Sequence, residues 1–310
     1  MKKVFVDGNS GTTGLRITER LSERDDIELV TLSDDKRHDV HEREKALNES
    51  DVSILCLPDD AAREAVALTK NPDTVIIDAS TAHRTAAGWV YGFPELSAEF
   101  EEKIKVSKRI AVPGCHAGGF VSLVYPLIKS GYLPHDAHLV CHSLTGYSGG
   151  GKKMIAQYED GERDSLLSAP RQYGAGQVHK HLAEMTSVCE LETPPIFCPI
   201  VADFYSGMEV TVAIFSDMLK DGVGADEIEA LYRKTYTGPV ITYEERGGES
   251  GFYSAASMTG SDGAKITVEG NGERILLISR FDNLGKGASG AALECLNLVL
   301  GVDKTNGLTL

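Results

Sequence analysis

The chain has 310 residues, of which 42% are apolar and 25% charged, with a formal net charge of −15. That length supports two domains with a sizeable core, and the acidic balance argues against nucleic acid or anionic membrane as partners. No apolar run is long enough to span a bilayer, the start MKKVFVDGNSG lacks a signal peptide's apolar core, and the six cysteines (56, 115, 141, 189, 198, 295) include no Cys-x-x-Cys pair; neither a disulfide framework nor a zinc site is expected, and a reducing cytoplasm is.

Lys3 to Asp7 reads as a buried strand that runs into Gly8-Asn9-Ser10-Gly11-Thr12-Thr13-Gly14 and then a helix bearing Leu15, Ile17 and Leu21. Strand, glycine-rich turn and helix in that order place phosphates on a helix N-terminus, although the spacing here is G-x-x-G-x-x-G. Further strands are expected over 27–32, 52–57 and 74–78, with a helix over 59–70. This alternation implies a parallel, doubly wound sheet whose ligands gather at the strands' carboxyl ends. The second strand ends in Ser33, followed by Asp34-Asp35-Lys36-Arg37. Ser33, Lys36 and Arg37 suit a 2′-phosphate and hence NADP, Asp34 and Asp35 keep NAD open, and a solvated charged loop is a reading of nearly equal weight. The fourth strand ends in Asp78-Ala79-Ser80-Thr81-Ala82-His83-Arg84, and Gly92-Phe93-Pro94-Glu95 follows Trp89; together they offer contacts for nicotinamide and substrate.

Ile110 to Val112 is a short apolar run that meets Pro113-Gly114, and Cys115 comes next, ahead of Phe120, Leu123, Val124, Leu127 and Ile128 at helical spacing. Cys115 therefore stands at a helix's first turn, where free N–H groups and the helix dipole stabilise a thiolate and can hold an oxyanion. Gly118 and Gly119 suit a close approach by substrate or backbone. Pro126 is an objection, because a proline that deep in a helix should kink it.

Beyond that helix the pattern becomes strand-dense, with strands expected over 137–143, 196–202, 208–215, 240–243, 265–269 and 275–281 and a helix over 225–236, which implies a second domain built on a mixed or antiparallel sheet. Thr145-Gly146-Tyr147-Ser148-Gly149-Gly150-Gly151-Lys152-Lys153 suits an anionic group or a mobile loop. His179-Lys180-His181 lacks a third metal ligand at useful spacing; it reads either as the proton-transfer partner of Cys115 or as a surface cluster. In the tail, FDNLGKGASGAA leads into a helix bearing Leu293, Leu296, Val299 and Leu300, and the Asn283 amide suits a nicotinamide carboxamide.

PGCHAGG with HKH, DGNSGTTG, YGFPEL, YSGGGKK and FDNLGKGASG together resemble the N-acetyl-gamma-glutamyl-phosphate reductase family, in its shorter branch, along nearly the whole chain. The resemblance implies an α/β fold: a Rossmann-type NADP-binding domain (1–113 and 285–310) with an inserted α+β catalytic and oligomerisation domain (114–284), and a C-terminal helix returning to the first domain. It implies Cys115 as nucleophile and His179 as acid/base. His181 is then placed near the substrate; Arg84, Ser148 and Lys152 are expected as further substrate contacts, to its anionic groups, from their own chemistry rather than from the resemblance. Gly8, Gly11, Gly14 and Asn283 follow as cofactor contacts, and the reading of the residues adds Ser10, Thr12 and Thr13 of the same turn, Ser33, Arg37 and Ser80, with no metal. The implied reaction is NADPH-dependent reduction of N-acetyl-gamma-glutamyl phosphate through a cysteine thioester, in arginine biosynthesis, by a homo-oligomer (dimer or tetramer). The family often writes Asn-Pro-Gly-Cys-Tyr-Pro-Thr where this chain has Val-Pro-Gly-Cys-His-Ala-Gly, which leaves the role of His116 open. Two alternatives stand beside this reading: an aspartate-semialdehyde-type acyl-phosphate reductase, and a non-catalytic NADP-sensing protein on the same scaffold.

Overall fold

Short apolar runs alternating with amphipathic segments form, in the computed structural model of residues 1–310, two units: Met1–Pro113 with Ala288–Leu308, and Gly114–Gly287 with Thr309–Leu310. The first unit contains β1 (Lys2–Asp7), α1 (Thr12–Ser22), β2 (Ile27–Val30), α2 (Val40–Glu49), β3 (Val52–Leu55), α3 (Asp59–Leu68), β4 (Val75–Asp78), β5 (Val90–Tyr91), α4 (Ala98–Val106) and β6 (Arg109–Ala111). Its six strands lie in the order β2-β1-β3-β4-β6-β5, every pair parallel. Alternate residues of one strand feed opposite faces. Val4 and Val6 join Ile17, Leu21, Ile54 and Ile77 on one side, while Phe5 joins Leu47, Leu55, Ala65 and Ile76 on the other. Each fully buried side chain of this size contributes ~1.5–3 kcal/mol, which is why these strands read as continuous apolar runs.

The C-terminal helix, Gly290–Leu300, belongs to the first of these cores through Ala291, Ala292, Leu293, Leu296 and Leu298. The Asn297 amide donates to the carbonyls of Lys304 (3.0 Å) and Asn306 (2.8 Å) and accepts from Arg24 (2.6 Å), so one side chain fastens the helix to the tail and to the end of α1. Two helices here carry little amphipathic signal and are marked chiefly by their caps. Asp39 accepts from the N–H groups of His41 and Glu42 to start α2, and Ser97 accepts from that of Phe100 to start α4.

The second unit contains α5 (Cys115–Lys129), β7 (Val140–Gly146), α6 (Gly151–Glu159), β8 (Arg171–Gln172), α7 (His181–Val188), β9 (Ile196–Ala202), β10 (Met208–Phe215), α8 (Ala225–Thr235), β11 (Ile241–Tyr243), β12 (Ala264–Gly270) and β13 (Arg274–Phe281). Its seven-stranded mixed sheet runs β11-β12-β13-β10-β7-β9-β8. The strand expected over 137–143 sits three residues further on, and the glycine–lysine stretch after it forms a 3₁₀ turn (Tyr147–Gly150) and then α6 rather than a loop. One sheet face is covered by α5, which packs on β10 and β13, and by α8 on β12. Gly119 permits this, since a Cβ there would stand 2.5 Å from the Val210 side chain and 2.9 Å from that of Phe281; its neighbours are side chains of the sheet. On the opposite face, three cross-strand rows are set by the register: Ile278–Thr211–His142–Cys198, Leu276–Ala213–Val140–Ile196, and Arg280–Glu209–Leu144–Ile200. Ile196 and Leu276 in the middle row are exposed.

Helix α5 continues through Pro126 to Lys129. The missing proline N–H leaves the carbonyl of Ser122, four residues earlier, without its helical donor. The Tyr236 hydroxyl donates to that carbonyl at 2.6 Å, and Tyr232 on α8 donates to the next one, that of Leu123, at 2.5 Å. The first of these replaces the hydrogen bond that the proline removes, and the second adds one beside it.

Candidate active site

Cys115 is the first residue of α5, and no side chain of the Gly114 N-cap closes the helix start. The cap is fixed from outside: the Gly114 N–H donates to Glu184 Oε1 at 2.7 Å, with the carboxylate buried on α7. A second constraint comes from the turn after β13. The Asp282 carboxylate accepts from the N–H groups of Gly260 (2.7 Å) and Leu284 (2.8 Å), and its backbone carbonyl accepts from those of Gly285 and Gly287 (both 3.0 Å). That turn brings Gly287 against the cysteine, where a Cβ on residue 287 would lie 2.9 Å from that of Cys115. Glu184, Asp282 and Gly287 were not singled out from sequence. The legible signals were small: a carboxylate three residues after the histidine pair, and an acidic residue opening a glycine-rich turn.

Around the start of α5 lie three histidines. His116 is buried; its Nδ1 is 2.6 Å from the Ser143 hydroxyl on β7 and its Nε2 is 2.7 Å from the Tyr173 hydroxyl. Its ring centroid is 6.0 Å from that of His179, 5.5 Å from His181 and 5.3 Å from Phe197, and those of His179 and His181 are 4.8 Å apart. His179 Nδ1 accepts from the N–H of His181, which opens α7. Burial, with His179 nearby, pushes the pKa of His116 down to about 3, so its imidazole is neutral and both ring nitrogens are engaged. Burial and then the Lys180 charge lower that of His179, which leaves it neutral and able to accept a proton near pH 7. His116 is thereby unsuited to act as the base.

Ser148 and Asn283 meet in the same unit. Asn283 Nδ2 donates to the Ser148 hydroxyl at 3.0 Å, and its Oδ1 accepts from the Gly207 N–H at 2.8 Å. The amide is locked in orientation and keeps its second Nδ2 hydrogen to offer.

In the first unit, the three glycines of the first turn do different things. Gly8 has φ +88°, and a Cβ on it would stand 2.3 Å from the Cys56 carbonyl oxygen; one on Gly14 would stand 2.2 Å from the Gly8 carbonyl oxygen. Both positions exclude a side chain because backbone meets backbone. Over Gly11 nothing lies nearer a Cβ than 3.6 Å. Gly11 is also the N-cap of α1, with no side-chain cap, so Thr12 and Thr13 open the helix with N–H groups suited to a phosphate. Arg37 reaches this turn from the end of β2: its guanidinium donates to the Ser10 hydroxyl at 2.5 Å and pairs with Asp34 at 3.4 Å, and its N–H caps back to the Ser33 carbonyl at 2.9 Å. An open glycine turn, an uncapped helix start and an arginine beside them fit a dinucleotide with an additional phosphate. At the end of β4, Asp78 accepts from the Ser80 hydroxyl (2.7 Å) and N–H (2.9 Å) and lies 2.6 Å from His83 Nδ1, whose ring stacks on Trp89 with centroids 4.1 Å apart. Arg84 donates to the carbonyls of Val112 (2.9 Å) and Ala79 (3.2 Å), which commits much of its fork to backbone. The structure thus gathers His116, His179 and His181 in one cluster, pairs Ser148 with Asn283, and places the glycine turn, Ser33 and Arg37 together and Ser80 and Arg84 at the end of β4.

Comparisons with known proteins agree on the family. The family described as "Semialdehyde dehydrogenase, NAD binding domain" matches residues 3–104, and "Semialdehyde dehydrogenase, dimerisation domain" matches 115–283. The chain is 43% identical to N-acetyl-gamma-glutamyl-phosphate reductase 2 of Nostoc sp., covering 99% of each chain. It is 40% identical to N-acetyl-gamma-glutamyl-phosphate reductase 2 of Pseudomonas putida, covering 98% of each. Among solved structures, aspartate semialdehyde dehydrogenase II of Vibrio cholerae, complexed with ASA, has a TM-score of 0.74 at 14% identity over 97% of this chain and 98% of that one. Aspartate semialdehyde dehydrogenase with NADP from Candida albicans has a TM-score of 0.70 at 14% identity over 99% and 100%; these two likenesses concern the fold. The chain belongs to the N-acetyl-gamma-glutamyl-phosphate reductase family, on the semialdehyde dehydrogenase fold.

Proposed function

We propose that the protein is an NADP-dependent oxidoreductase that reduces N-acetyl-gamma-glutamyl phosphate to N-acetyl-glutamate 5-semialdehyde and phosphate, a step of arginine biosynthesis in the cytoplasm. The observation that carries this reading is a cysteine at a helix start whose neighbour His116 lies in one cluster with a neutral, proton-accepting His179, in a chain 43% identical from end to end to a reductase of that name. The unit Met1–Pro113 with Ala288–Leu308 holds the cofactor, and Gly114–Gly287 carries the chemistry. Gly8, Ser10, Gly11, Thr12, Thr13 and Gly14 hold its phosphates, Ser33 and Arg37 the 2′-phosphate, and Ser80 and Asn283 the nicotinamide end. His181, Ser148 and Arg84 bind substrate, with Arg84 acting through its charge because its fork is engaged.

In the biosynthetic direction the Cys115 thiolate attacks the γ-carbonyl. A C–S bond forms as the carbonyl pair moves onto oxygen, and collapse of that oxyanion breaks the C–O bond to phosphate, which leaves with the pair. Donors at the start of α5 stabilise the oxyanion. NADPH, when bound, supplies the hydride that brings the acyl carbon to the aldehyde level. His179 holds and returns the proton exchanged with the substrate oxygen as the C–S bond breaks and Cys115 is restored. The open sheet face, whose middle row exposes Ile196, Ala213 and Leu276, supports a homo-oligomer, dimer or tetramer.

An assay of NADPH oxidation with N-acetyl-gamma-glutamyl phosphate and, in parallel, aspartyl phosphate tests the reading. Turnover with the first and little with the second is expected, and it should vanish in Cys115→Ser. Preference for aspartyl phosphate, or no oxidation with either, overturns it.

A further inference from the structure

The hydroxyl protons around His116 can be assigned by counting. Ser143 is fully buried, and its hydroxyl has one partner, His116 Nδ1 at 2.6 Å. A buried hydroxyl proton needs an acceptor, so Ser143 donates and Nδ1 is the acceptor. The neutral ring then carries its single proton on Nε2. That N–H faces the Tyr173 oxygen at 2.7 Å and donates to it. With an oxygen already receiving a hydrogen bond, the Tyr173 phenol keeps its own O–H for an acceptor elsewhere, and no protein group takes it. Tyr173 is half-buried, its ring centroid is 6.0 Å from that of His179, and it is held by the residue that follows the nucleophile in the chain.

We propose that Tyr173 is a further catalytic residue, donating a hydrogen bond through its hydroxyl to the acyl oxygen on Cys115, and that His116 and Ser143 are positioning residues that aim it. The inference rests on the thioester reading above. Chemistry supports the assignment: attack by sulfur moves a carbonyl pair onto oxygen, and a preorganised donor at that oxygen lowers the barrier. Burial first, and then the negative charge of a Cys115 thiolate, hold the Tyr173 phenol above its ordinary range, so it remains a donor throughout the neutral range. The relay also explains why a histidine stands next to the nucleophile without serving as the base.

Two measurements test this. Nitrogen-15 spectra of the free enzyme, with His116 assigned by the loss of its signals in His116→Gln, should show the Nε2–H tautomer; Nδ1–H at neutral pH overturns the relay. This needs no substrate, so it stands apart from the activity: a wild type with no burst of phosphate release counts against the thioester reading, while the tautomer still decides this one. Tyr173→Phe should slow the phosphate burst by about 10²-fold with the KM for N-acetyl-gamma-glutamyl phosphate little changed, while iodoacetamide still alkylates Cys115 at the wild-type rate. Ser143→Ala frees Nδ1 to carry the proton and turns the phenol O–H back toward Nε2. It should therefore reproduce most of that loss, and the double variant should be no slower than Tyr173→Phe alone. An unchanged burst in Tyr173→Phe, an alkylation rate that falls in step with the burst, or additive losses overturns the proposal. Should Ser143→Ala fail to fold, the tautomer and Tyr173→Phe decide it.

Discussion

His116 adjoins the candidate nucleophile, where a base would stand, yet burial and two hydroxyl partners make it a neutral structural imidazole. Burial has a consequence for stability. With a folded pKa of about 3 against 6.5 unperturbed, the unfolded chain binds this proton more readily, so the contribution is fully present above pH 6.5 and is lost as pH falls toward 3. Urea midpoints measured at pH 7 and pH 5 should drop further for wild type than for His116→Gln; an equal drop contradicts the assignment. The candidate nucleophile is legible because a strand, Pro-Gly and a helical period meet at Cys115, and the candidate pair His179 and His181 because a thiol needs a proton partner. Glu184 and Asp282 were not legible, since each acts through a carboxylate on backbone N–H groups of a distant segment, and nothing in local spacing reports such a contact.

At the scale of elements, α5 answers the objection that Pro126 raised. The orphaned Ser122 carbonyl is satisfied by the Tyr236 hydroxyl. Tyr236→Phe should destabilise by ~1–3 kcal/mol by leaving a buried acceptor unmade. Pro126→Ala restores an N–H four residues on, so in that background the same change should cost less; equal costs measured by chemical denaturation contradict the compensation. The loop between β2 and α2 carries a second testable feature. Arg37 ties the strand end to the glycine turn through Ser10, and the role proposed for its charge is to hold a 2′-phosphate. Arg37→Ala should weaken NADPH binding by ~10-fold or more while leaving NADH nearly unaffected, because a charge-assisted contact of about 1.5–3 kcal/mol is lost from one ligand alone; an unchanged preference in titration calorimetry removes Arg37 from the site. The strands were legible as apolar runs. Helices α2 and α4 were not, because their interiors carry little periodicity and their start signals, Asp39 and Ser97, look in sequence like ordinary loop residues.

For the whole molecule, the alternation of strands and helices made the doubly wound sheet readable, and strand density the mixed one. Which sheet face stays open was not readable, because both faces of β7, β9 and β10 carry apolar residues and only the packing of α5 and α8 chooses between them. The open face predicts an assembly: Ala213→Arg, at an exposed central position of that face, should shift the protein from oligomer to monomer in sedimentation velocity without lowering its melting temperature as a monomer; an unchanged oligomer places the interface elsewhere. In the proposed mechanism acyl transfer to one particular sulfur precedes reduction. Its most direct test is rapid-quench mass spectrometry of His179→Asn mixed with N-acetyl-gamma-glutamyl phosphate in the absence of NADPH. Thioester formation should survive while turnover falls roughly 10²–10⁴-fold, so an N-acetylglutamyl adduct should accumulate on the peptide containing Cys115. An adduct on another cysteine, no adduct at all, or full turnover in Cys115→Ser contradicts the account.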